Sequence, residues 1–316
     1  VYLLIPLFVA ALPGCTITGD CPVGTELRDD GACHRLATDT GTGGTDSGTA
    51  AGDGGGASPD WTATDVAAAL DDALAAGVVQ ALPVFDAYES YMEQREDRCP
   101  SMENPDAEGV TGVWQTDHCE TAAGYVFEGF AFYNSECVTP EENDMEPGVG
   151  MRSQGLVSQY RLEDPAGNEM EGGGDSSHEC RWDTDGSISC FDQIGGSYLA
   201  QGTEAWLDAG VESSLFMFHD NDAKGRRTAI DGGVGLPSVD LSFDGLVVDW
   251  DQCDGQASGT VAVRDPSGWW FSLVLPGDCS GCGELWLGDD DLGELCVDIA
   301  GHLRDTVASW EQPCWE

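Results

Sequence analysis

The chain has 316 residues, with 58 Asp and Glu against 12 Lys and Arg and a net charge of −46. Such a surface repels phosphate backbones and anionic lipid headgroups, which excludes nucleic acid as a partner and charge-driven membrane docking as a mode of attachment. A hydrophobic share of 41%, with ten Trp and ten Phe, supports a sizeable core and excludes wholesale disorder. The acidity itself has two readings, a solvated surface or an attraction for divalent cations or a cationic partner, and composition does not separate them.

Val1 to Leu12 is an unbroken apolar run, the length of a signal-peptide core and too short to span a bilayer as a helix. Leu12-Pro13-Gly14-Cys15 follows it and resembles the lipobox of exported Gram-negative bacterial lipoproteins. The resemblance implies a signal peptide over 1–14, lipid on Cys15, and attachment to a membrane through that lipid. With Thr16 next in line, it also implies sorting to the outer membrane. No Lys or Arg precedes the apolar run, so a positive leader lies upstream of Val1 or is very short. The 13 cysteines support the same assignment, because giving Cys15 to the lipid leaves an even set to pair. Disulfides persist in oxidising compartments, which places the chain in the cell envelope.

Residues 15–36 read as the anchor and a small loop closed by Cys21 and Cys33. Residues 37–60 are Gly, Thr, Ser, Ala and Asp without a large apolar side chain, a flexible linker. Its Gly-rich stretch lacks the Lys of a phosphate loop. Over 61–98, Thr62 with Asp65 forms an N-cap signal, and Val66, Leu70, Leu74, Val78, Leu82, Phe85, Tyr88 and Met92 recur at helical spacing. This predicts a long amphipathic helix that Pro83 kinks or splits.

From Cys99 to Glu316 the pattern becomes short β-branched and aromatic runs between Gly, Pro, Asp and Asn. The expected fold is mainly β, an antiparallel β-sandwich-like domain braced by disulfides and preceded by the helix. Three cysteine pairs follow from hairpin geometry. A turn at Thr184-Asp185-Gly186 sets Cys180 opposite Cys190, the Asp265-Pro266-Ser267-Gly268 turn brings Cys253 near Cys279, and Gly288–Asp291 folds Cys282 towards Cys296. A four-cysteine zinc site on Cys253, Cys279, Cys282 and Cys296 is the rival reading, disfavoured in an oxidising compartment. The partners of Cys99, Cys119, Cys137 and Cys314 stay open.

Catalytic motifs are sparse. His34, His118, His178, His219 and His302 are scattered, and no nucleophile motif accompanies them. No cofactor is expected beyond calcium, for which Asp220, Asp222 and Asp231 have loop-like spacing, with Lys224 standing where an oxygen ligand belongs. Trp269 and Trp270 are adjacent on an expected strand and so point to opposite faces, leaving one of them to stack on a ligand. The distal run from Trp269 to Cys296 also resembles exported bacterial lipoproteins of unknown function, which imports no activity. The expected function is a surface-tethered protein with a binding or structural role, its ligand a glycan or a protein. The alternative is an exported hydrolase, acting on polysaccharide through acidic residues.

Overall fold

The chain divides into two units, 1–50 and 51–316. The computed structural model describes residues 59–103, 111–143, 146–236 and 239–315, and in the first unit the backbone of strands β1 (Thr25–Leu27) and β2 (Cys33–Arg35). Those two strands pair antiparallel, with Leu27 opposite Cys33. The expected lipid site at Cys15, the Cys21–Cys33 closure and most of the linker lie outside the described residues.

Helix α1 (Ala63–Ala75) starts as its sequence dictates. Thr62 accepts from the Asp65 backbone and Asp65 accepts from the Thr62 backbone, a reciprocal capping box. It buries Val66, Leu70 and Leu74. The segment is split and not merely kinked, and the break comes ahead of Pro83: Gly77 takes a left-handed φ of 76° and its N–H closes on the Leu74 carbonyl. A second helix, α2 (Leu82–Met92), begins afresh with Pro83 in its first turn, where a missing N–H is harmless. The buried turn residues Val78 and Val79 keep the apolar spacing going across the break, which is why the two helices read as one.

Thirteen strands follow: β3 (Met102–Glu103), β4 (Gly112–Glu120), β5 (Val126–Val138), β6 (Gly150–Glu163), β7 (Glu169–Trp182) and β8 (Ile188–Ala200). After the single turn α3 (Ala205–Asp208) come β9 (Val211–Asp222), β10 (Gly225–Gly235), β11 (Asp240–Asp249), β12 (Gln256–Arg264), β13 (Trp270–Pro276), β14 (Cys282–Leu287) and β15 (Asp290–Cys296), then helix α4 (Ile299–Trp310). Every strand pairs with its sequence neighbours, so the thirteen form one antiparallel meander. The expected sandwich is therefore corrected to a single sheet. Its apolar face is covered by α1, α2 and α4, and no second sheet is needed to bury it.

Alternation along the strands separates a core face from an outer face. On β6, Leu156, Ser158, Tyr160 and Leu162 are buried while their odd-numbered neighbours are not. Glu311, just past α4, accepts from Trp182 on β7 through its carbonyl and from Arg226 on β10 through its carboxylate. Those strands lie three spacings apart, about 14 Å in a flat sheet. The long side chains of Trp182 and Arg226 close that distance on Glu311, which so ties the end of α4 to both strands.

Five disulfides tie the described residues. Cys180–Cys190 joins directly opposed positions of β7 and β8. The turn behind it is the one the sequence specified, with Gly186 at φ 83° and Asp183 paired to Ser187. Cys253–Cys279 and Cys282–Cys296 also form as expected. Cys99–Cys119 and Cys137–Cys314 complete the set. The sheet's edges are guarded, since β3 is two residues long and β15 carries exposed Asp290, Asp291 and Glu294. Among the described residues, no helix is long and apolar enough to cross a membrane.

Candidate functional site

Two polar clusters interrupt the core face. In the first, His178 Nδ1 lies 3.0 Å from Asp192 Oδ1, and Asp192 Oδ2 accepts from the Ala81 N–H at 2.7 Å. Both side chains are sealed, His178 under the Trp310 ring and Asp192 beneath the α1–α2 turn. This His–carboxyl pair joins a helix turn to two strands and has no open approach.

The second cluster surrounds His219 on β9. Its Nδ1 meets Thr228 Oγ1 at 2.9 Å and its Nε2 meets Glu311 Oε1 at 3.0 Å. Arg226 donates to both oxygens of Glu311, and Asn221 adds a third donor. Trp250 donates its indole N–H to Thr228, and the Arg226 guanidinium lies 5.4 Å from the Trp250 ring centroid. Burial holds the His219 imidazole below its ordinary range, against the pull of Glu311. The folded chain thus binds a proton there less well than the unfolded chain. Stability from this group is full above the unfolded value of 6.5 and is lost as pH falls from there through the lowered folded value. Denaturation midpoints measured from pH 7.5 to 5.5 should fall for the wild type and fall less for His219→Gln. An identical slope in the variant would remove His219 as the cause.

The acidic candidates for calcium are dispersed. Asp220 and Asp222 end β9, where Asp222 accepts from the Lys224 N–H of the hairpin turn. Asp231 lies on β10 opposite Phe216, and accepts from the Gly245 N–H. Asp220 pairs instead with Arg227, four residues back from Asp231 and about 13 Å along the strand. The segment is a hairpin and not a cation loop, because backbone pairing straightens the residues that would have to wrap an ion. Among the described residues, the one grouping at metal-ligand distance is Cys282, Glu294 and Cys296, and its two sulfurs are joined to each other.

Trp269 and Trp270 do part to opposite faces. Trp269 packs on the core, and Trp270 is 40% exposed on the outer face, with Trp286 diagonal to it across β14. A larger aromatic group lies mid-sheet. Phe191 on β8 is 5.0 Å from Phe218 and 6.4 Å from Phe216, both on β9. Phe218 is 46% exposed, and the register carries the apolar surface on through Ala229 and Val247. Phe132 and Val157 form another exposed pair at the β5–β6 end.

Sequence reasoning missed the phenylalanines. Leu215-Phe216-Met217-Phe218 is apolar at every position, the pattern of a strand buried on both sides. In an antiparallel meander with one covered face, the same pattern instead marks apolar side chains left on the outside. Comparison with known proteins finds no matching family model, no matching curated protein and no matching solved structure.

Proposed function

We propose that the chain is an exported lipoprotein of the bacterial envelope, lipid-anchored at Cys15 in the outer membrane, that binds a ligand on the outer face of its sheet. The observation that carries the binding role is the Phe191–Phe216–Phe218 cluster, three aromatic side chains together on a face that the described helices leave uncovered. Support for the address comes from the lipobox resemblance and from five disulfides, which need an oxidising compartment. The Gly, Thr, Ser, Ala and Asp composition of 37–60 suits a spacer between such an anchor and the domain. Trp270 and Trp286 offer a second stacking surface on the same face. The two His–carboxyl pairs lend no support to hydrolase chemistry, since His178–Asp192 is sealed and His219–Glu311 is occupied by Arg226.

Mass spectrometry of the mature amino terminus should find a lipid-modified Cys15. An unmodified residue other than Cys15 at that terminus refutes the anchor. Glycan and peptide arrays probed with the wild type and with Phe218→Ser test the binding role. Identical profiles, or none, refute the outer face as the binding surface.

A further inference from the structure

We infer that the Phe191–Phe216–Phe218 patch docks a cationic polypeptide, one that sets an apolar side chain among arginines or lysines. The inference rests on the binding role proposed above and names the partner's chemistry. Its first ground is the composition of the patch, an apolar centre inside a charged rim, the arrangement of protein-binding surfaces. Glu179 stands opposite Phe191 on β7, Asp231 opposite Phe216 on β10, and Asp220 two residues beyond Phe218 on β9. All three acids are exposed. Asp231 commits one oxygen to the Gly245 N–H and keeps the other.

The second ground is charge complementarity. The cations nearest the patch are already engaged, Arg227 with Asp249 and Arg181 with Asp183 and Glu146. Lys224 is further off, in the hairpin turn beyond Asp222. The rim is therefore left net negative, on a chain whose total is −46. Like charge works against a second copy of this chain on the patch, and against ligands bearing phosphate or sulfate. It favours a basic polypeptide, whose cations meet the rim while its apolar side chain covers the rings.

Two synthetic probes separate this partner from plain charge attraction: a peptide alternating Arg with Leu, and one alternating Arg with Ser. Binding is measured by titration calorimetry at physiological salt, with unchanged thermal melting as the folding control for each variant. The Arg–Leu peptide should bind the wild type at least about tenfold more tightly than the Arg–Ser peptide, the scale of a single aromatic anchor. Phe216→Ser/Phe218→Ser should abolish that preference, and Glu179→Gln/Asp220→Asn/Asp231→Asn should weaken the Arg–Leu peptide several-fold. Equal binding of the two peptides, or a preference that survives in the phenylalanine variant, overturns the inference. If neutral oligosaccharides bind through the same phenylalanines while the peptides show no preference, the cationic partner is wrong and the binding role stands. If neither class binds, both fail.

Discussion

Asp192→Ala should cost about 2–6 kcal/mol of stability, the sum for two buried donors left without an acceptor. The carboxyl group serves two donors at once, the Ala81 N–H in the turn between α1 and α2 and the His178 ring on β7. Alanine supplies neither acceptor. Both donors would stay in a site closed to water, and each unsatisfied group carries about 1–3 kcal/mol. For a domain of this size the melting temperature should drop by roughly 10 °C. Asp192→Asn keeps one acceptor oxygen and turns an N–H2 towards the other donor, so its loss should be intermediate. Denaturant titration of the two variants against the wild type checks the order. An Asp192→Ala loss below about 1 kcal/mol would mean that water reaches the pair after all.

Replacing both Cys137 and Cys314 by serine should cost a comparable amount, for a different reason. This bridge joins β5 to the tail beyond α4, across 177 residues. In the chain-entropy account, a loop of that length constrains the unfolded chain by about 5 kcal/mol, with measured values for native bridges of about 2–5 kcal/mol. Three other bridges lie inside the loop and span 10, 26 and 14 residues. They shorten the effective loop only modestly, and the dependence on length is logarithmic, so they change this little. The tail also seats Trp315 edge-on against Trp182, with ring centroids 5.1 Å apart. Without the bridge, amide exchange in α4 should quicken more than exchange in the mid-sheet strands. An unchanged denaturation midpoint, together with unchanged α4 exchange, would show that the Glu311 network alone holds the tail.

Much of the fold was legible in local chemistry. The capping box at Thr62, the Thr184-Asp185-Gly186 turn and the Asp265–Gly268 turn each act over a few residues, and each formed as read. The cysteine pairs across hairpins followed from those turns, because a hairpin fixes its register from the tip outward. What lay beyond reach was long-range. Nothing near Cys137 names Cys314 as its partner, and nothing near Asp192 announces that it will accept a hydrogen bond from Ala81. The sandwich expectation failed on the same ground: alternation identifies the covered face of a strand, and helix or sheet can cover it equally well. For the candidate site, the split of Trp269 from Trp270 was readable from strand periodicity, whereas the phenylalanine cluster depends on β8 lying beside β9. Asp220, Asp222 and Asp231 were grouped by sequence spacing, which strand pairing then pulled apart.

The unbroken meander also bears on how the chain reaches its fold. Because each strand pairs with its neighbours in sequence, every sheet pairing closes across a single hairpin, and such topologies close their loops at less entropic expense than sheets with crossovers. The sheet can grow outward from any hairpin, one strand at a time. The cover is the exception: α4 follows all thirteen strands along the chain, yet Trp310 and Glu311 land on β7, β9 and β10. Until α4 docks, a finished sheet holds part of its apolar face uncovered, and the step that ends this vulnerable interval is the arrival of one short helix.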